Sequence, residues 1–146
     1  MTDRELIEHA KKARLNSYSP YSHFRVGAAL ITSDNELFTG CNIENASYPA
    51  GCCAERTAIF AAASKGKRKF TKLAIVGSHD DKFEKMTFPC GMCLQVISEF
   101  CDDDFRIVLC ENDDINTYTL ADLMPLRFNA AGMRPQTNSR LADGVR

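Results

Sequence analysis

Two short runs in this chain carry cysteine and glutamate at spacings suited to metal-assisted hydrolysis: Cys53-Ala54-Glu55, and Pro89-Cys90-Gly91-Met92-Cys93. Two cysteines separated by two residues close on one metal. A third from a distant segment completes three soft ligands and leaves one tetrahedral position open for water. A carboxylate two residues after the first cysteine then serves that water as proton acceptor and donor without ligating the metal. Cys52 adjoins Cys53 and competes with it as ligand, but the spacing to Glu55 and the helix that begins there favour Cys53. Cys52 is left as a packing residue or an oxidation-sensitive neighbour. Cys41, Cys101 and Cys110 stand beside apolar residues at predicted element ends and read as small buried hydrophobes.

These residues need elements to hold them. Leu6, Ile7, Ala10, Arg14 and Leu15 repeat at helical spacing, which predicts a first helix over residues 3–17 with Asp3 as its cap. Residues 25–31 and 37–41 are extended segments interrupted at Ser33-Asp34-Asn35, and read as a hairpin. A loop over 42–52, containing Pro49 and Gly51, leads to an alanine-rich helix over 53–64. A buried strand follows at 73–77, then a polar loop over 78–85. Pro89 suits a helix start, so a helix over 90–100 carries Cys90 and Cys93 near its first turn. A strand over 106–110, an extended piece over 116–119 and a short helix near 120–123 complete the alternation. Strands and helices in this order predict an α/β layered domain, its sheet mixed because the first two strands form a hairpin.

The chain has 146 residues, enough for one domain with one hydrophobic core. A formal net charge of -1 supplies no field for nucleic acid, and the basic run from Lys65 to Lys69 reads as a solvated connection after a helix. No apolar run is long enough to cross a bilayer, and the polar start has no secretory signature. The odd count of seven cysteines then argues for reduced thiols and metal ligands in the cytoplasm rather than a disulfide framework.

Beyond the two cysteine runs, three further stretches resemble one family. They are Pro20-Tyr21-Ser22-His23-Phe24-Arg25-Val26-Gly27-Ala28-Ala29-Leu30, then Asn42-Ile43-Glu44-Asn45-Ala46-Ser47-Tyr48, and Leu123-Met124-Pro125-Leu126-Arg127-Phe128. With Cys53, Glu55, Cys90 and Cys93 they identify the chain as similar to the small, homotetrameric, three-cysteine cytidine deaminases. The resemblance runs from the first helix to Phe128, so a deaminase domain over 1–128 is followed by a polar tail over 129–146 with no counterpart. Its Gly132, Pro135 and Gly144 predict a tail ordered only where a neighbouring subunit holds it.

The resemblance implies a three-layer α/β/α sandwich around a mixed five-stranded sheet, with the two metal-bearing helices side by side on one face. It implies Zn²⁺ on Cys53, Cys90 and Cys93, and hydrolysis of cytidine and deoxycytidine to uridine and deoxyuridine with release of ammonia, a pyrimidine salvage reaction. Glu55 is then the proton shuttle, the N–H of Ala54 holds the pyrimidine carbonyl, and Phe24 stacks on the base. Asn42 and Glu44 bind the sugar, while Ala46, Tyr48 and Phe128 belong to sites completed by neighbouring subunits. Arg56 matches the arginine that hydrogen-bonds the cysteine sulfurs, and Gln95 a structural hydrogen-bonder at the helix start. Relatives often carry another arginine after the last ligand cysteine. Here that position is Leu94, which leaves less positive charge around the thiolates.

Two readings from other classes compete. A purely structural zinc site requires a fourth protein ligand, for which His9, His23 and His79 are the candidates. A redox role for Cys90 and Cys93 requires a thioredoxin-like surrounding pattern that the chain lacks. Among deaminases the rival substrate is another aminopyrimidine nucleoside of the blasticidin type. For Phe24 and Phe128 the alternative is ordinary core packing.

Overall fold

The computed structural model describes residues 1–129; the predicted tail beyond Asn129 lies outside them. The elements follow in the order α1 (Asp3–Arg14), β1 (Arg25–Thr32), β2 (Leu37–Cys41), a 3-10 turn (Tyr48–Ala50), α2 (Ala54–Ser64), β3 (Phe70–Ser78), α3 (Gly91–Phe100), β4 (Arg106–Glu111), β5 (Asp114–Thr119) and α4 (Leu120–Leu123). The five strands form one sheet in the order β2-β1-β3-β4-β5. β1 runs antiparallel to β2 and β3, β3 parallel to β4, and β4 antiparallel to β5. The sheet is mixed because β3 stands between two hairpins, antiparallel to β1 and parallel to β4, the parallel pair being joined by a long crossover that contains α3.

Successive strand residues point to opposite faces, and both faces are apolar. Ala28, Leu30, Leu73, Ile75, Ile107 and Leu109 pack with Ala58, Ile59 and Ala62 of α2 and Ile97 of α3. Ala29, Ile31, Ala74, Val76, Val108 and Cys110 pack with Leu6, Ile7 and Ala10 of α1. Helices therefore cover the sheet on both sides, which is the three-layer sandwich the resemblance implies. Each fully buried Leu or Ile contributes about 1.5–3 kcal/mol.

Some boundaries differ from the sequence reading. α1 ends at Arg14 rather than near Ser17, and its N-cap is Thr2, which forms a reciprocal capping box with Glu5. Leu15 leaves the apolar stripe as an exposed C-cap, while Arg14 turns inward. Pro89 precedes the α3 cap rather than opening the helix, because Cys90 occupies the cap itself. β3 begins at Phe70, and β4 and β5 extend to a two-residue turn. Asn112 and Asp113 take positive φ there, at 47° and 68°, as a tight hairpin turn requires. The basic run is a solvated connection, as expected, with Lys67 paired to Asp34 and Glu36 across the β1–β2 hairpin.

Arg14 is only 1 % exposed and fixes the loop leaving β3. Its Nη2 donates to Ser78 O at 3.3 Å and to Asp80 O, its Nη1 lies 3.0 Å from Asp81 Oδ1, and its guanidinium sits 5.3 Å from the centre of the Phe83 ring. The carbonyls are the buried part of this arrangement, because the Asp81 side chain is 86 % exposed. Arg14→Ala is expected to cost about 2–4 kcal/mol in urea unfolding, through lost packing and unsatisfied carbonyls. Asp81→Ala is expected to stay within about 1 kcal/mol, as for a solvent-screened pair. Equal losses would show that the ion pair, not the carbonyls, holds the loop.

Candidate functional site

The two distant cysteine runs meet because α2 and α3 start side by side. Cys53 caps α2, Cys90 caps α3, and Cys93 lies buried in the first turn of α3. Neither capping cysteine spends its side chain on a cap hydrogen bond, so their sulfurs are available at helix ends where free N–H groups and the macrodipole favour negative charge. α2 reaches this position by close approach to β2. A methyl group on Gly40 would stand 2.5 Å from Ala54 O and Ala58 N, so only glycine allows the contact.

The three sulfurs lie within 4.8 Å of one another, and they form the one candidate metal-binding group among the described residues. Cys53 Sγ and Cys90 Sγ are 4.0 Å apart. Tetrahedral zinc with bonds of about 2.3 Å places its sulfurs about 3.8 Å apart, so the residues fit that ion. No histidine joins the group: the His79 ring meets the edge of Phe24 instead, at a centroid distance of 5.0 Å. The Cys52 thiol donates to Cys53 O at 3.7 Å and stands outside the cluster.

The electrostatics favour a thiolate at Cys53, while the Cys93 thiol, whose hydrogen bond to Cys53 is best made protonated, is pushed up. The Cys53 thiol is pulled down to about 5, first by a hydrogen bond from Cys93 and then by Arg56, whose Nη2 lies 3.6 Å from Cys53 Sγ. Arg56 Nη2 also reaches Gly51 O at 3.4 Å, and its Nε is buried with no acceptor among the described residues. Leu94 packs into the core shared by α2 and α3 and brings no charge. The Glu55 carboxyl begins the same helix as Ala54, is 4 % exposed, and is pushed up to about 7 by burial. A carboxyl titrating there both accepts and releases protons at neutral pH.

The other predicted residues fall into two groups. Asn42 and Glu44 lie on a loop closed onto Cys53 by paired backbone bonds between Ile43 and Cys52, 2.9 Å in each direction. Asn42 Nδ2 donates to Phe24 O at 2.9 Å, and Asn42 Oδ1 accepts from Val26 N at 2.8 Å and from the Ser17 hydroxyl. Glu44 Oε2 accepts from Tyr21 N at 2.9 Å and Ser22 N at 3.2 Å, while Oε1 accepts from the Ser22 hydroxyl. The Ser22 contact leads in holding this carboxyl below the usual range. Beside it opens a cavity of about 350 Å³ lined by Tyr21, Ser22, Glu44, Asn45, Tyr48 and Gly51. Phe24 is half-buried against Gly77, where a methyl group would come within 2.9 Å of its ring.

Ala46, Tyr48 and Phe128 form the second group, and none is packed in the core. Tyr48 is 76 % exposed and Phe128 64 %. Phe128 is therefore no part of the core that the described residues form. Ser17 and Ser22 are additional supports that spacing did not reveal. Their contacts with Asn42 and Glu44 span 25 and 22 residues of chain and arise from loop closure.

The family model for the cytidine and deoxycytidylate deaminase zinc-binding region matches residues 1–109. A cytidine deaminase of Sporosarcina psychrophila is 45 % identical over 130 residues, covering 88 % of this chain and 93 % of the relative. A blasticidin-S deaminase of Bacillus cereus is 32 % identical over 130 residues, 86 % of this chain and 91 % of the relative. The crystal structure of a cytidine deaminase from Burkholderia pseudomallei superposes with a TM-score of 0.81 at 44 % identity, covering 88 % of this chain and all of that one. The fold, the three converging thiols and these matches agree, and the chain belongs to the zinc-binding cytidine and deoxycytidylate deaminase family.

Proposed function

We propose that the chain hydrolyses cytidine and deoxycytidine to uridine and deoxyuridine with release of ammonia. The observation that carries this reading is a buried Glu55 beside three convergent thiols that no fourth protein ligand closes among the described residues. Cys53, Cys90 and Cys93 hold zinc, which when bound supplies a Lewis acid that makes water nucleophilic near neutral pH. Glu55 accepts a proton, delivers it to ring N3 and assists departure of the amino group, so one carboxyl serves every transfer. The Ala54 N–H at the start of α2 holds the pyrimidine carbonyl, and Phe24 stacks on the base.

Asn42 and Glu44 bind sugar hydroxyls through what their internal contacts leave unused, an amide hydrogen and carboxylate lone pairs. A carboxylate in that place disfavours a phosphate, so the substrate is a nucleoside. The identity to a cytidine deaminase, higher than to the blasticidin-S deaminase, supports cytidine over the antibiotic.

The working unit in this reading is a homotetramer with shared pockets. A single chain leaves Cys90, Tyr48, Met92, Leu126 and Phe128 exposed, and a closed symmetric assembly covers them. The seven free cysteines suit a reducing cytoplasm, and no helix among the described residues is long and apolar enough to cross a membrane.

Ammonia release from cytidine, deoxycytidine, cytidine monophosphate and blasticidin tests the substrate assignment. Turnover of both nucleosides and not of the monophosphate is expected; efficient monophosphate or preferred blasticidin turnover would overturn it. Glu55→Gln should keep zinc and fold while losing about 10²–10⁴-fold or more in kcat. Arg56→Ala should lower zinc retention and kcat by about 10–100-fold, because Leu94 leaves charge compensation to one arginine. Metal analysis alongside steady-state kinetics checks both variants.

Mixing inactive Glu55→Gln subunits with Phe128→Ala subunits, whose KM is raised, should restore turnover at low cytidine concentration if pockets are shared. Some pockets then combine an intact glutamate with an intact aromatic wall. No recovery, despite verified subunit exchange and a severe Phe128→Ala defect, would place Phe128 in its own chain's pocket.

A further inference from the structure

After α4 the chain passes through residues 124–129 without regular structure, yet polar side chains hold it. The Gln95 side-chain amide donates from Nε2 to Phe128 O at 3.0 Å, and the Arg127 guanidinium pairs with Asp103. Gln95 is itself held in place. Its Nε2 lies 3.4 Å from Ser98 Oγ, and the Ser98 hydroxyl donates to Gln95 O at 2.8 Å. What these contacts fix is backbone and the Arg127 head group. Met124 packs against the core at the start of the segment, but the apolar side chains further along it remain open, Leu126 at 97 % exposure and Phe128 at 64 %.

That division is unusual for a segment that merely covers its own core. Such a segment is ordinarily anchored by burying its Leu and Phe side chains. Here Leu126 and Phe128 give almost nothing to their own chain, while polar bonds hold the backbone that bears them. The arrangement preorganises an aromatic side chain for a contact outside the protomer, removing part of the ordering cost from the contact itself.

We infer that Gln95 is a positioning residue for Phe128. It stands two positions after Cys93 on α3, so the helix that carries metal ligands in one pocket also sets the aromatic wall of another. The link between pockets rests on the shared-pocket reading above; the tether itself does not. Gln95 touches no substrate in this account and acts through the Phe128 backbone. A wall that stacks equally on ground and transition states affects KM and leaves kcat nearly unchanged.

Gln95→Met removes both amide donors at similar volume, and Gln95→Glu keeps the shape but sets an acceptor against the Phe128 carbonyl. Each should raise the KM for cytidine about fivefold, the fold-change of one lost neutral hydrogen bond, with zinc content and kcat within about twofold of wild type. In a Phe128→Ala background, Gln95→Met should add no further rise. Unchanged KM in both single variants, or an equal further rise without Phe128, would overturn the inference. Mixing Gln95→Met with Glu55→Gln subunits then separates the tether from the assembly reading. Pockets that pair an intact glutamate with a properly placed Phe128 from the other chain should regain the wild-type KM. A KM that stays raised after verified exchange would overturn the link to a neighbouring pocket, while the double-variant result decides the tether.

Discussion

Convergence of two helix starts is the constraint on which the rest of this structure depends. Three sulfurs from segments 37 residues apart meet within 4.8 Å only if α2 and α3 begin at the same place and keep their relative position. Ligand groups on helices are held more tightly than on loops, because each helix is fixed along its length by packing. Ile59 and Ala62 of α2 and Ile97 of α3 share one core with Leu73, Ile75, Ile107 and Leu109, so the sheet serves as the common reference for both helices. Gly40 sets the distance of α2 from that reference. A side chain there would push the helix, and with it Cys53, away from Cys90.

The same placement accounts for the electrostatics. Cysteines at helix caps stand where unpaired N–H groups accumulate, and this partly offsets the burden of gathering three thiolates. The arginine after Glu55 adds a full positive charge on one side. Glu55 itself lies inside the helix pair and is shielded from water, so its carboxyl is lifted while the neighbouring thiol is lowered. Two acidic groups two residues apart thereby acquire opposite tendencies from one helix turn, with one sulfur in the thiol cluster and one carboxyl buried beside it.

Much of this was legible before the fold was known, for a specific reason. Ligand spacing within Cys90-Gly91-Met92-Cys93 and the offset from Cys53 to Glu55 are local, and local geometry survives in sequence. The strands were legible as apolar runs, but Leu73-Ala74-Ile75-Val76 is apolar on both faces, so its alternation could not say which helix each residue meets. Arg14 and Leu15 show the opposite failure. Periodicity placed both on one stripe, whereas the helix ends between them, leaving the leucine in water and taking the arginine inside. The tight turn at Asn112 and Asp113 also went unread, because two short polar residues give less signal than a glycine would.

What stayed hidden were contacts made by chain closure. Ser17 reaches Asn42 and Ser22 reaches Glu44 only after the segment before β1 pairs with the segment after β2, through Tyr18 N to Asn42 O at 3.0 Å and Glu44 N to Tyr18 O at 2.8 Å. These bonds explain why the Glu44 carboxylate sits oriented beside a small cavity and why the Asn42 amide is fixed in the same loop. Each has several hydrogen-bonding positions, and the protein uses enough of them to orient the group while leaving others for a ligand. Orientation of a polar side chain by its own chain lowers the ordering cost that a bound molecule would otherwise meet. The tether from Gln95 to Phe128 follows the same logic with an aromatic group in place of a polar one. In both cases internal hydrogen bonds fix the position of a residue while leaving part of its side chain's contact capacity unused.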